Sequence, residues 1–187
     1  MISRLFYEGH ERELLSYINE KNYSQIILLA DANTNGYCIP VLKKLIPAFK
    51  TSSLIIIPKG EQNKTLEVCT LIWHELDKLK ADRYTLLINI GGGMVSDIGG
   101  FASSVYKRGI DFINVPTTLL AMVDACYGGK TGIDFNGFKN SLGSFQHPSA
   151  IYIHPVFLQT LDERVLQSGL AESIKHAMLS SEDQLKN

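Results

Sequence analysis

The sequence predicts an α/β fold: a Rossmann-like layered domain with a mostly parallel sheet, helices on both faces and a helical C-terminal end. Two observations carry this. Short continuous apolar runs recur at 26–30 (IILLA), 54–57 (LIII), 85–90 (TLLINI), 112–115 (FINV) and 151–153 (IYI). Runs with no polar side suit strands buried on both faces, as parallel strands are. Between several of them lie segments of helical periodicity, and strands alternating with helices argue for a layered α/β domain. The chain has 187 residues, 45% of them hydrophobic, which is enough for one well-filled core and short for two.

In order along the chain, the first run ends at Asp31 and the second at Pro58-Lys59-Gly60. Over 65–79 the apolar residues Leu66, Cys69, Ile72, Leu76 and Leu79 recur every three or four positions, which describes an amphipathic helix. The third run leads straight into Gly91-Gly92-Gly93 and then a helix over 97–106. The fourth is stopped by Pro116 and followed by a helix over 118–125. Beyond 155 no strand signal remains. Asp162 or Ser168 can cap a helix that places Leu170, Ile174 and Ala177 on one face. A polar stretch, SSEDQLKN, then occupies 180–187. A terminal helix with an apolar face needs something to pack on. The expectation is therefore a nucleotide-binding domain over 1–160 and the start of a helical domain over 161–187, with more protein following.

Composition excludes several classes. A formal net charge of -1 provides no global field for nucleic acid or an anionic membrane, so neither is expected as a partner. No apolar run approaches the roughly 20 residues of a membrane-spanning helix. The first twelve residues carry scattered charges and no apolar core like that of a secretion signal. Cys38, Cys69 and Cys126 are odd in number and far apart, which reads as buried thiols in a reducing cytoplasm.

The strand–glycine–helix junction at 91–97 is the clearest chemical feature. Glycine lets the backbone approach a ligand closely. Unpaired N–H groups at a helix start attract an anion, with help from the helix dipole. The junction reads as a cradle for a dinucleotide pyrophosphate, with Asp97 placed to cap the helix or accept ribose hydroxyls. It does not follow the G-x-G-x-x-G spacing. From 106 to 140, groups suited to phosphates and hydroxyls crowd the element ends. Gly128-Gly129-Lys130-Thr131 lacks the upstream glycine of a phosphate-binding loop of nucleoside triphosphatases, so that reading is rejected. Lys130 can still serve a phosphate or carboxylate as a point charge. Asp124 stands in an otherwise apolar segment, LLAMVDAC, where a carboxylate is either paired or functional. Glu172, Lys175 and His176 share one helical face by spacing. Glu172 and His176 at i and i+4 suit two metal ligands and equally suit a salt-bridged exposed face.

The order of motifs resembles the 3-dehydroquinate synthase family. The resemblance rests on GEQNKTLE (60–67), GGGMVSD (91–97), GFASSVYKRG (100–109), DFINVPTTLLAMVDACYGGKTG (111–132), KNSLGSF (139–145) and SGLAESIKHAM (168–178), and runs from about Asp31 onward. It implies a two-domain, NAD- and metal-dependent lyase of the shikimate pathway of aromatic amino acid biosynthesis. Such an enzyme converts 3-deoxy-D-arabino-heptulosonate 7-phosphate to 3-dehydroquinate and phosphate, recycles its NAD, and is commonly a homodimer. By the same resemblance Asp31, Asn33, Glu61, Lys64, Gly92, Gly93, Asp97, Thr117, Thr118, Lys130, Lys139, Phe157 and Thr160 contact the cofactor. Arg108, Asp124, Lys130, Asn140 and Lys175 contact the sugar phosphate, and Glu172 is a ligand of a divalent metal, zinc or cobalt. His176 stands where tyrosine is usual, Ser96 where glycine is, and Asp134 where asparagine is common. The resemblance gives His176 no metal role, because the family's histidine ligands come from later motifs absent here. The chain is therefore expected to be the amino-terminal portion of such an enzyme and inactive alone. Another sugar-phosphate cyclase, or a nucleotide-binding module without chemistry, remains an alternative.

Overall fold

The computed structural model describes residues 3–180, so the polar stretch from 181 onward lies outside the described residues. In chain order the main elements are β1 (Arg4–Tyr7), α1 (Glu11–Glu20), β2 (Gln25–Asp31), α2 (Ala32–Tyr37), α3 (Ile39–Leu45) and β3 (Ser53–Ile57). They continue with α4 (Leu66–Lys78), β4 (Thr85–Gly91), α5 (Gly93–Val105) and β5 (Asp111–Pro116). After a π-type turn, Ala121–Ala125, come β6 (Lys130–Phe135), β7 (Phe138–Phe145), β8 (Ala150–Ile153) and α6 (Glu163–Ser180). Six strands form one sheet in the order β1-β8-β5-β4-β2-β3. Every pairing in it is parallel.

The apolar runs are continuous because alternate residues fill two separate cores. On β2, Leu28 and Ala30 join the core formed with Leu14 and Ile18 of α1 and Ile39 and Leu42 of α3. Their neighbours Ile27 and Leu29 join the core formed with Cys69, Ile72 and Leu76 of α4 and Ile98 and Ala102 of α5. All seven residues of β4 are buried. Each fully buried Leu or Ile contributes roughly 2–3 kcal/mol of transfer free energy, so a polar substitution on either face is costly.

Three features depart from the expectation, and one open alternative is decided. β1 and α1 precede the first expected strand. The loop-like stretch after 128 holds an antiparallel hairpin, β6 with β7, apart from the main sheet. The helix expected from 97 begins at Gly93, so Asp97 lies in its second turn and does not cap it; the cap position is Gly92, in an extended conformation. Asp162, not Ser168, starts the last helix: its carboxylate accepts from the Arg164 N–H at 2.9 Å, and Ser168 lies within α6. Leu170, Ile174 and Met178 of α6 are exposed. No helix among the described residues is long and apolar enough to cross a membrane.

Candidate active site

The chain passes from β2 outward to β3, then returns to place β4 on the other side of β2. That reversal opens a crevice beyond the carboxyl ends of β2 and β4, where ligands of open α/β sheets bind. Asp31 ends β2, and the three glycines end β4 and start α5. A cavity of about 540 Å³ lies there. It gathers Asp31, Asn33, Glu61, Gly92, Gly93, Thr117, Thr118, Phe157 and Thr160, nine of the residues expected to contact the cofactor.

Local chemistry shapes this cavity. Asp31 and Thr34 form a reciprocal cap on α2: the Thr34 N–H donates to Asp31 Oδ1 at 2.8 Å, and the Asp31 N–H donates to Thr34 Oγ1 at 2.9 Å. The start of α5 has no such cap, because Gly92 has no side chain. A Cβ at Gly92 would come within 2.9 Å of Thr118 Cγ2, so the backbone there sits close against the opposite wall. Cys38 also lines this cavity, and burial pushes its thiol up to about 11.

A second cavity, of about 640 Å³, flanks α5 one turn further on. Its polar lining includes Asp97, Asp124, Lys130 and Asn140, which brings together three of the residues expected to contact the sugar phosphate. The hairpin β6–β7 forms one wall. A Cβ at Gly143 would lie 2.3 Å from the carbonyl oxygen of Thr131, so only glycine permits this close pairing of the two strands. Beside this cavity, His176 Nε2 is 3.3 Å from Asp124 Oδ1 and 3.4 Å from Glu172 Oε1. The ligand atoms of Asp124, Glu172 and His176 all lie within 4.8 Å of one another. Lys175 contacts Glu172, and that hydrogen bond holds its ammonium above the usual lysine value.

The remaining expected residues are elsewhere. Arg108 is exposed, in a left-handed conformation just past the far end of α5, and Lys139 is exposed on β7. Neither lines either cavity. Lys64 also lines neither cavity; it is buried behind them, where its ammonium contacts Asp97 and Asn140. Burial pushes the Asp97 carboxyl above the ordinary carboxylate range, against the opposing pull of Lys64. Sequence reasoning did not assign Asp134 a site role, yet its carboxylate accepts from the Asn140 N–H at 2.8 Å. Nor did it join His176 to Asp124, 52 positions apart.

Residues 54–168 match the family model described as 3-dehydroquinate synthase N-terminal. The chain belongs to the 3-dehydroquinate synthase family. A curated 3-dehydroquinate synthase of Parabacteroides distasonis is 46% identical over 169 residues, covering 90% of this chain and 48% of that protein. The chain thus spans about half the length of the curated relatives it matches. Among solved structures it is similar to a 2-deoxy-scyllo-inosose synthase complexed with carbaglucose-6-phosphate, NAD+ and Co2+, with a TM-score of 0.81 and 26% identity over 92% of this chain and 47% of that one. It is also similar to the 2-epi-5-epi-valiolone synthase of Streptomyces hygroscopicus subsp. jinggangensis 5008 with NAD+ and Zn2+ bound, with a TM-score of 0.78 and 29% identity over 95% of this chain and 49% of that one.

Proposed function

We propose that this chain is the NAD-binding half of a 3-dehydroquinate synthase, a lyase that converts 3-deoxy-D-arabino-heptulosonate 7-phosphate to 3-dehydroquinate and phosphate, and that 161–187 begins its second domain. The observation that carries this reading is the first cavity. Nine residues named from the family pattern converge at the switch point of the sheet, around a helix start without a cap. The group fits: Gly92 and Gly93 leave backbone N–H groups for a pyrophosphate at a site that a Cβ would fill, and Asp31, Asn33, Thr117 and Thr118 offer partners for ribose hydroxyls. A divalent metal also fits, since Glu172 stands beside an imidazole and a second carboxylate. When bound, NAD supplies reversible oxidation of a ring hydroxyl and the metal supplies polarisation of the neighbouring oxygen.

The chain's own residues then have defined tasks. Lys130 places a cation in the second cavity for a phosphate or carboxylate of the substrate, and the Asn140 amide and Asp124 carboxylate orient hydroxyls there. Asp97 stands between the cavities, lining the second from one turn beyond Gly93. A homodimer in the cytoplasm belongs to the same proposal.

A different sugar-phosphate cyclase is the second reading, favoured by the two solved relatives; the 46% identity to a 3-dehydroquinate synthase weighs against it. The test combines binding and turnover. Titration calorimetry of the 187-residue chain should show NAD+ binding, weakened at least about tenfold in Gly92→Val. Phosphate release from the heptulosonate substrate should be absent in the chain alone and present once it is extended to the length of its relatives. Equal NAD+ affinity in the variant refutes the cradle. Turnover only with another sugar phosphate selects the second reading.

A further inference from the structure

One buried imidazole stands beside the nucleotide cavity without lining it. His154 follows β8 and is only 6% exposed. In an extended conformation it opens a short 3-10 helix, Pro155–Thr160. Pro155 has no N–H, so the first helical donor in need of a partner is the Val156 N–H. His154 Nδ1 accepts it at 3.2 Å. The imidazole packs edge-on against Tyr152, at 6.1 Å between ring centroids, and against Phe157 at 6.0 Å. Phe157 and Thr160 of the same short helix line the nucleotide cavity. Two carboxylates lie near the imidazole. Glu8 Oε1 is 3.8 Å from Nε2, and Glu11, which accepts from the Tyr152 hydroxyl at 2.6 Å, is within electrostatic reach.

These contacts fix the state of the ring. A nitrogen that accepts an N–H carries no proton, so the neutral imidazole keeps its one proton on Nε2, toward Glu8. A second proton can go only to Nδ1. There it turns the acceptor into a donor facing the Val156 N–H, and the cap is lost. The two carboxylates favour the charged ring and so draw that proton in. We infer that His154 is a positioning residue for the nucleotide site: its neutral ring holds the short helix that presents Phe157 and Thr160, and the affinity for NAD falls when the ring becomes charged. Only the neutral form caps, so the helix is held above the pH at which the ring charges and released below it. His154 lines neither cavity, which separates this role from direct contact with a ligand. The link to NAD rests on the function proposed above. The cap rests on the hydrogen bond alone.

Imidazole ordinarily changes charge between about pH 5 and 8, so titration calorimetry of NAD+ binding at about pH 8 and about pH 5.5 spans the change. The 187-residue chain is compared with His154→Asn, whose amide oxygen caps equally well at both pH values. From the higher pH to the lower, the natural chain should lose at least about threefold more affinity than His154→Asn. The cavity carboxylates Asp31 and Glu61 are common to both chains, so their titration cancels in the comparison. His154→Phe keeps a ring and removes the acceptor. It should bind about threefold or more weakly than the natural chain at the higher pH, with no greater pH dependence than His154→Asn. Hydrogen exchange of amides 156–161, read by mass spectrometry without NAD+, tests the cap by itself. The ratio of the natural chain's exchange rate to that of His154→Asn should rise about threefold or more as the pH falls. A ratio that stays constant overturns the cap. Parallel NAD+ affinity profiles of the natural chain and His154→Asn overturn the link to the nucleotide site, as does a folded His154→Phe chain with natural affinity. Should His154→Phe not fold, the asparagine comparison decides alone. Absence of NAD+ binding to the natural chain at both pH values would sink the cofactor reading instead, leaving the exchange ratio to decide the cap.

Discussion

The two cavities flank the same helix but are built from different material. The first lies where parallel strands end, and its floor is set by the sheet, through Asp31 closing β2 and the glycines closing β4. The second is walled by a two-stranded hairpin outside the sheet and polished by charged side chains. A nucleotide cradle of this kind depends on backbone shape and tolerates little added volume. A polar cavity depends on side-chain charge and on how firmly one hairpin is fastened. Damage to one should therefore be separable from damage to the other, except at the residues that join them.

The largest effect should come from such a joint. Asp97→Ala leaves the Lys64 ammonium buried with one strong partner fewer, and removing one member of a buried pair costs about 3–5 kcal/mol. For a chain of this size that lowers Tm by roughly 10 °C, measurable by calorimetry, and both NAD+ binding and hairpin protection should suffer. A variant as stable as the natural chain would show that the ion pair contributes little. Gly143→Ala should be milder and one-sided. Its methyl would meet the Thr131 carbonyl, a backbone atom that can yield only by spreading the strands, at a cost of about 1–3 kcal/mol. NAD+ affinity should stay within about threefold, because the cradle is untouched. Equal loss of NAD+ affinity would join the two cavities more tightly than their construction suggests.

How much of this was readable in advance follows the same division. The strands at 26–30 and 85–90 were legible because a sheet covered on both faces demands unbroken apolar residues. The cradle was legible because three glycines between a strand and a helix are a local signal. The hairpin was not: FKNSLGSF is almost wholly exposed, and KTGIDF buries only Gly132 and Ile133, so neither strand shows a periodicity imposed by a core. β1 has four residues, too few for a pattern. The contacts of Lys64 with Asp97 and Asn140 span 33 and 76 positions, and no spacing rule reaches that far. The helix start was misplaced by four residues because Asp97 resembled a cap, whereas the helix opens at Gly93 with an extended Gly92, which has no capping side chain to mark the place.

The smallest effect is chemical and distinguishes the cavities by their thiols. Burial pushes Cys38 up to about 11, and Cys69 and Cys126 up to about 12. The thiolate is the reactive form, so near neutral pH all three should resist alkylation. Raising the pH from about 8 to about 9 stays below every one of these values, so each rate should rise about tenfold with the thiolate fraction. Cys38, which lines the nucleotide cavity, should be modified first, as peptide mapping after iodoacetamide would show. Preferential labelling of Cys126 would mean that the ground beneath the polar cavity opens more readily than the cradle.

The order of the sheet also has a temporal side. β1, at one edge, is hydrogen-bonded among the described residues only to β8, and nearly 150 residues separate Arg4 from its partner Ala150. On a ribosome the four strands β2 to β5 can find one another while β1 waits, because its partner is the last strand of this sheet among the described residues. Closing so long a loop is entropically the slowest pairing in the sheet. The β1 edge is thus the last seam of the sheet to be sewn.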